Sequence, residues 1–381
     1  QSQTISQEFQ LLSTNDSPFQ WVAGLYYFNE NGIEDFIFNT IPTGGSFTFL
    51  QEVDTDSYAV FGQAEYAFND KFKVILGGRY SKDDKRFRFR TPSGQALPDT
   101  DNSQSFDKFT YNAGIEYSPT DDNLIYASVS TGFRSGGSNN QFAATPAYGI
   151  QKIMAYEIGS KNTFAGRAGT ANFSFFYNDL DDILSNTFIQ VGPSQVVARS
   201  NSGSARSYGS EAELGYDFYN GLKIDANLSY LNAKFRNFQA STPSGYGLAS
   251  GFTFVPGTTN QLDLSGNEVP LSPSFTASIG ARYEVDLGGS GTITPAVRFF
   301  WSDSYFVNEF NYDAGIPGRD VGKQGSYTKT DATLTYMAPE DRFMIQAFVR
   351  NIENEAVLNR AVIGGGGAIF QNYGQPRTYG V

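Results

Sequence analysis

The chain has 381 residues, of which 40% are hydrophobic, 15% aromatic and 17% charged, with a formal net charge of −12. This charge argues against a nucleic-acid partner, because phosphate binding requires clustered Lys and Arg. The chain contains no Cys and no His, which excludes a disulfide framework, thiolate or histidine metal sites and a Ser-His-Asp triad. Abundant Gly, Tyr and Phe predict an all-β fold, and any membrane crossing must use strands because no apolar run is long enough for a spanning helix.

In chain order, the first predicted strand covers about residues 4–12 and runs into a short turn. The next clear hairpin has Val60, Tyr66 and Phe68 on one face of its first strand, with Gln63 and Glu65 on the other. After a turn at Asn69-Asp70, the second strand places Phe72, Val74, Leu76 and Tyr80 opposite Lys73 and Arg79. Such period-two alternation is typical of strands with one apolar and one polar face.

The same pattern recurs further along the chain. Residues 211–218 and 222–230 alternate around Asn220-Gly221, with Glu211, Glu213, Lys223 and Asp225 on the polar face. The clearest strand covers 275–287, and its partner carries apolar residues from Ile293 to Trp301, although Pro295 cannot donate to a strand ladder. Seven such hairpins and a partial strand at about 370–381 give fifteen predicted strands.

Connection lengths also alternate. Short turns are predicted near 13–17, 69–71, 118–122, 165–167, 219–221, 288–291 and 338–341. Long loops are predicted near 30–57, 81–105, 134–152, 180–204, 236–274, 302–326 and 351–370. Short turns on one side and long loops on the other are typical of transmembrane β-barrels, with the turns in the periplasm and the loops outside the cell.

Alternation alone does not say which face of a strand points outward. The polar face combines charges with Gly and Ser, which suits a wet lumen. Aromatic residues predicted near the short turns would form an interfacial girdle, namely Tyr66, Phe68, Tyr117, Tyr216, Phe218 and Trp301. The sequence therefore predicts an all-β, transmembrane, antiparallel up-and-down β-barrel with its apolar face toward lipid.

Five segments in this order resemble the barrel of TonB-dependent receptors. They are Tyr126-Ala-Ser-Val-Ser-Thr-Gly-Phe-Arg-Ser-Gly-Gly137, Ala155-Tyr-Glu-Ile-Gly-Ser-Lys161, Ala205-Arg-Ser-Tyr-Gly-Ser-Glu211, Phe348-Val-Arg-Asn-Ile-Glu-Asn354 and Gln375-Pro-Arg-Thr-Tyr-Gly-Val381. The resemblance implies a barrel of twenty-two strands behind a plug domain. Residues 1–381 would then be a partial barrel domain, about strands 8 to 22, with no plug in this chain. We expect an open or incomplete wall, in which residues 4–12 do not pair with 370–381.

The resemblance also implies a function. We expect an outer-membrane receptor of a Gram-negative bacterium that takes up a scarce nutrient, most simply a ferric siderophore, and is not an enzyme. Its partners would be outer-membrane lipid, the TonB system acting through the absent plug, and the small-molecule ligand. The alternatives are a passive porin-like channel, TonB-dependent uptake of a carbohydrate or another non-iron ligand, and a soluble β adhesin or lectin. The lack of histidine makes haem an improbable cargo, since haem uptake in this family relies on loop histidines.

Three long loops are candidate ligand sites because they combine aromatic with polar or cationic residues. The candidates are Phe36 and Phe38 in the first loop, Arg134, Asn139, Asn140 and Phe142 in the second, and Tyr305, Tyr312 and Arg319 in the third. The alternative is that these side chains pack loop against loop. No cofactor and no metal site is predicted, and the acid pairs Asp83-Asp84 and Asp181-Asp182 read as solvated loop charge. Arg79, Arg282, Glu211 and Glu213 are expected to form cross-strand ion pairs or to contact a plug or cargo.

Overall fold

The computed structural model describes residues 2–40, 45–90, 99–139, 147–191, 194–241, 261–311, 322–363 and 369–381. Only the backbone is described for 36–40, 45–49, 186–191, 194–197, 362–363 and 369. Most residues in these ranges lie in strands. Two of the short connections contain a single 3₁₀ turn, at Gly288–Ser290 and at Pro339–Asp341. No helix in the described part of the chain has the length and apolar character to cross a bilayer.

The strands alternate with turns along the whole described chain. In chain order they are β1 (Ser2–Leu12), β2 (Phe19–Thr40), β3 (Gly45–Asn69), β4 (Phe72–Arg90), β5 (Thr100–Thr120), β6 (Asn123–Arg134), β7 (Gly137–Ser138), β8 (Ala147–Tyr148), β9 (Gln151–Phe164), β10 (Gly169–Val191), β11 (Ser194–Asp217), β12 (Leu222–Ser241), β13 (Gln261–Asp263), β14 (Phe275–Tyr283), β15 (Val285–Asp286), β16 (Thr292–Ser302), β17 (Tyr305–Phe306), β18 (Lys323–Gln324), β19 (Tyr327–Met337), β20 (Met344–Arg350), β21 (Leu358–Ile363), β22 (Ile369–Tyr373) and β23 (Thr378–Gly380).

One antiparallel sheet contains fifteen strand positions in chain order, which confirms the predicted number. Its seventeen strands include the short β13, which lies beside the end of β12, and β14 and β15, which occupy one position next to β16. At the two edges, β1 pairs with β2 and β23 pairs with β20. No pairing joins β1 to β23 among the described residues, so the sheet is open, as expected.

The short connections agree with the prediction at all seven places. The connections consist of residues 13–18, 70–71, 121–122, 165–168, 218–221, 287–291 and 338–343. Local hydrogen bonds tighten them, as where the side-chain oxygen of Asn69 accepts from the amides of Lys71 and Phe72 at 2.9 and 3.0 Å. Asn and Asp are suited to such turns because their side chains cap nearby backbone amides.

Three of the predicted long loops are wrong in extent, because their strands continue far beyond the expected ends. The regions concerned are 30–57, 81–105 and 180–204, where β2–β3, β4–β5 and β10–β11 pair almost to their tips. Charged residues in these regions lie on the strands and form cross-strand ion pairs. Arg88 forms ion pairs with Glu52 and Asp54 on the neighbouring strand, and such opposite charges support cross-strand pairing.

The end of the chain also differs from the predicted strand at 370–381. Only Thr378–Gly380 joins the main sheet, whereas Ile369–Tyr373 pairs with Leu358–Ile363 in a separate hairpin. Pro376, which lacks an N–H, lies between the two parts, and the Asn351 side chain donates to the Gln375 carbonyl oxygen at 3.2 Å. This contact directs the chain back to the sheet before β23 begins.

The apolar face of the sheet points away from the protein, as predicted. Val60, Phe68 and Leu76 are 53%, 61% and 57% exposed, and comparable exposure recurs along most strands. A water-soluble β protein buries this face, whereas a membrane barrel turns it to lipid. The soluble adhesin or lectin alternative is therefore disfavoured.

Aromatic residues gather at the short-turn ends of the strands, as the girdle prediction required. Tyr66 and Phe68 pack edge to face at 4.8 Å between ring centroids, and Tyr216 and Phe218 do so at 4.7 Å. Trp301 was wrongly included in this group. It lies at the opposite end of β16 and packs against Phe275 at 5.6 Å, because the strand begins at the short turn and ends at the long loop.

Pro295 is accommodated by a gap in the ladder. The pairing of β14 with β16 ends at Arg282 and Ala296, and that of β15 begins at Val285 and Ile293. Pro295 lies between the two segments, where no donor is needed from it. Proline within a central strand is thus compatible with the wall.

Candidate ligand-binding cavity

The inner face of β12 changes character along its length. From the short turn upward, its inward positions carry Lys223, Asp225, Asn227 and Ser229, and then Leu231, Ala233 and Phe235. Neighbouring strands contribute Leu180 and Ala205 at the same height, since Ala205 pairs with Phe235. The polar inner wall therefore ends in an apolar surface on the side of the long loops.

Residues 261–272 run back alongside this end of β12, and their side chains cover part of the apolar surface. The Phe235 amide donates to the Asn267 carbonyl at 2.9 Å, and the Leu264 amide donates to the Phe238 carbonyl at 2.8 Å. Phe235 and Phe238 stack at 4.1 Å between ring centroids, and Leu262 is completely buried against them. Burial of this apolar area holds the covering segment in place.

A cavity of about 620 Å³ remains between the strands and this covering segment. Its wall is mainly aliphatic and aromatic, with Leu180, Leu231, Phe235, Phe238 and Val269 among the lining residues. The polar lining residues are Gln151, Ser185, Arg206, Ser207, Ser272 and Glu309. This volume and this mixture of many apolar and few polar groups are typical of small-molecule sites.

Glu309 is the acidic residue of the cavity. Burial raises the pKa of its carboxyl above the ordinary value. Its backbone carbonyl accepts a hydrogen bond from the Asn267 side chain at 3.0 Å, which ties it to the covering segment. Within the described ranges no Lys or Arg forms an ion pair with this carboxylate.

Comparison with known proteins identifies the family. The model of the family described as TonB dependent receptor-like, beta-barrel matches residues 1–352. The chain belongs to this family. As a TonB-dependent receptor-like barrel it is a protein of the Gram-negative outer membrane.

Individual relatives of this TonB-dependent receptor-like barrel are distant. The probable TonB-dependent siderophore receptor PiuA of Acinetobacter baumannii is 25% identical over 322 residues, covering 78% of this chain and 40% of that protein. The ferric yersiniabactin uptake receptor FyuA from Yersinia pestis superposes with a TM-score of 0.77 at 19% identity, over 99% of this chain and 53% of that chain. The crystal structure of PiuA from the same Acinetobacter species gives a TM-score of 0.69 at 16% identity, over 99% and 55%. The chain thus spans about half the length of these relatives, and the structural likeness shows the fold alone.

The sequence-predicted ligand residues of this TonB-dependent receptor-like barrel are dispersed. Phe36 and Phe38 lie in β2, opposite Phe49 and Phe47, and their side chains are outside the described part. Arg134 ends β6, two residues before Gly136, whose carbonyl accepts a hydrogen bond from the Lys85 ammonium at 3.1 Å. Asn140, Phe142, Tyr312 and Arg319 lie outside the described residues. Ligand contact by these residues stays a prediction.

Two of the predicted residues make clear packing contacts. The Asn139 side chain donates to the Arg199 carbonyl at 2.8 Å and accepts from its amide at 2.7 Å, so it clamps the loop to β11. Tyr305 is buried with Val307 and Leu358, and its hydroxyl donates to the Leu358 carbonyl at 3.3 Å. Burial raises the pKa of Tyr305 to about 12. These contacts are those expected of loop-to-loop packing.

The lumen of this receptor-like barrel contains ion pairs, but between other residues than those expected. Arg298 makes two hydrogen bonds to the Asp225 carboxylate at 2.8 and 3.0 Å. Arg79 instead lies over the rings of Tyr26 and Phe61, at 5.1 and 5.5 Å. Arg282, Glu211 and Glu213 also form no ion pair within the described residues, so the expected cross-strand pairing is not observed for these four charges.

The acid pairs expected to be loop charge lie in strands instead, Asp83-Asp84 in β4 and Asp181-Asp182 in β10, and each pair has one carboxylate in an ion pair. Asp84 forms an ion pair with Lys82 at 3.1 Å, and Asp182 does so with Lys152 at 2.7 Å. No group of three potential metal-ligating side chains occurs among the residues that the structure describes.

The residues predicted from the sequence do not include the cavity lining, although the sequence carries a signal for it. The inward positions Leu231, Ala233 and Phe235 continue the alternation of β12 but replace polar residues with apolar ones. These residues lie between the predicted strand 222–230 and the predicted loop 236–274, outside both. An apolar run on the lumen face of a barrel strand is the feature that would have found it.

Proposed function

We propose that this chain is part of the wall of an outer-membrane receptor that imports a scarce nutrient with energy delivered by TonB. The observation that carries this proposal is the cavity at the long-loop end of the inner face, in a barrel of the TonB-dependent receptor-like family. A passive porin needs no apolar pocket in its lumen wall. The chain in this proposal binds and passes a ligand and catalyses no reaction.

The ligand we propose is a ferric siderophore, because the similar proteins PiuA and FyuA are a probable siderophore receptor and a ferric yersiniabactin uptake receptor. Residues 1–381 would form about strands 8 to 22 of a larger barrel, consistent with the open sheet and with coverage of 53% of the FyuA chain. A plug domain elsewhere in the same protein would contact TonB. Uptake of a carbohydrate or another non-iron ligand is the alternative that the experiment decides.

The test is uptake by whole cells. The native protein containing this chain is expressed in a bacterial host without its own siderophore receptors, with or without TonB, and supplied with radiolabelled ferric siderophores and oligosaccharides. We expect accumulation of at least one ferric siderophore, and its loss in the strain without TonB. Uptake that persists without TonB would support a passive channel, and uptake of oligosaccharide alone would contradict the siderophore proposal.

A pair of variants connects uptake with the cavity. Ser272 lines the cavity and is half-buried, whereas Ser274 is exposed two residues further on. Ser272→Trp should reduce ligand affinity about tenfold or more, equivalent to about 1.4 kcal/mol, because the indole occupies cavity space. Ser274→Trp is the matched control and should transport normally. Equal uptake by both variants would show that transport does not depend on the cavity.

A further inference from the structure

The cavity differs from its surroundings in charge as well as polarity. Its walls come from Leu180, Leu231, Phe235 and Phe238, while Glu309 supplies a carboxylate at the margin. Arg206 also borders the cavity, but its guanidinium is held by Asp179 at 3.4 Å and lies over the Tyr177 ring at 5.2 Å. The guanidinium thus contacts a carboxylate and a ring, and the same Asp179 oxygen also pairs with Arg236 at 3.0 Å.

A carboxylate removed from water without a cation is unfavourable, and a cationic partner relieves this cost. Glu309 has no such partner among the described residues. The stacked rings of Phe235 and Phe238 offer an apolar surface next to it. The chemistry of the site thus complements a group that is apolar at one end and positively charged at the other.

We propose that the cavity receives an aliphatic or aromatic arm of the cargo that ends in a protonated amine, with the amine against Glu309. That this arm belongs to transported cargo rests on the proposed function. The iron-chelating groups of a ferric siderophore are anionic, and in this proposal they bind outside the cavity, because the one cationic residue of its described lining, Arg206, already contacts Asp179 and the Tyr177 ring. The cavity therefore selects among chelates by their side arm.

Three small probes with one carbon skeleton separate the contributions of ring and charge. They are 3-phenylpropylamine, 3-phenylpropanol and 3-phenylpropionate, titrated calorimetrically into the purified native protein at neutral pH. We expect the amine to bind about tenfold tighter than the alcohol, since a hydrogen bond to a charged partner exceeds a neutral one by this order. The carboxylate probe should bind most weakly.

Variants then assign the preference to named residues. Glu309→Gln should abolish the advantage of the amine over the alcohol and strengthen binding of the carboxylate probe. Ser272→Trp should weaken all three probes, and Ser274→Trp should weaken none. Glu340→Gln removes an exposed acid in a short turn and serves as the charge control. Tightest binding of the carboxylate probe, or an unchanged amine preference in Glu309→Gln, overturns the proposal.

The pH dependence gives an independent readout. Because the pKa of Glu309 is raised by burial, this carboxylate takes up its proton at a higher pH than an ordinary Glu. Affinity for the amine should fall as the pH is lowered through that pKa, and affinity for the alcohol should not. Probe binding needs neither TonB nor a plug. Correct probe selectivity with TonB-independent uptake would therefore refute the transport proposal alone, and the reverse result would refute the cavity chemistry alone.

Discussion

The two halves of the inner face of β12 perform different tasks. In the half near the short turn, Asp225 lies in the lumen and pairs with Arg298. In the half near the long loops, Phe235 is buried beneath residues 261–272 and borders a cavity. The same strand therefore forms a polar wall near the short turn and an apolar cavity wall near the long loops. The comparison shows that the cavity proposed as the ligand site lies where the polarity of the lumen face reverses.

The largest effect should follow from removing the aromatic anchor of the apolar half. Phe235→Ala deletes a ring that is 6% exposed and stacked on Phe238, and we expect the covering segment to lose about 3–5 kcal/mol of local stability. Hydrogen exchange of peptides from 261–272 measures this loss. Ile224→Ala on the lipid-facing side of the same strand is the control and should leave that exchange unchanged. Unchanged protection in Phe235→Ala would show that apolar burial does not hold the cover.

A smaller effect is expected from the polar contact that joins the cover to Glu309. Asn267→Ala removes the hydrogen bond from the Asn267 side chain to the Glu309 carbonyl, a loss of about 0.5–1.5 kcal/mol. Faster exchange should be confined to peptides around 267–272 and 309. A global loss of stability would mean that this bond supports the wall itself and not only the cavity.

The smallest effect belongs to the polar half. Arg298 and Asp225 are 49% and 46% exposed in their side chains, so Arg298→Gln should cost only about 0.2–1 kcal/mol, and less at high salt. Thermal unfolding of the purified protein at low and high ionic strength measures this difference. A cost as large as that of Phe235→Ala would remove the distinction between the two halves.

Much of the wall could be predicted from the sequence because its signals are local. The alternation of Val60 to Phe68 and the turn residues Asn69 and Asn220 fix strands, faces and short connections through backbone geometry. The strand extensions could not be predicted in this way. In the sequence alone, Arg88 is typical of a charged loop residue. Its partners Glu52 and Asp54 lie on the neighbouring strand, and only the register of the two strands brings them beside it.

The candidate site was less predictable than the wall for the same reason. Asn139 and Tyr305 were chosen for their chemistry, but their partners Arg199 and Leu358 are distant in sequence. The cavity requires Leu180, Ala205 and Phe235 to meet on one face, with Val269 and Glu309 brought over them by two loops. Of these features, the sequence alone shows only the change from polar to apolar inward residues in β12. The covering contacts arise from tertiary structure.

Orientation in the membrane is the central claim, because the cavity can meet external cargo only if the long connections face outward. The chain has no cysteine, so single replacements can be labelled selectively. Arg360 is exposed on the β21–β22 hairpin, and Asp121 is exposed in a short turn, so each can be replaced by cysteine. In intact cells a membrane-impermeant maleimide should label Arg360→Cys at once and Asp121→Cys only after the outer membrane is permeabilised. Labelling of Asp121→Cys alone in intact cells would contradict the account.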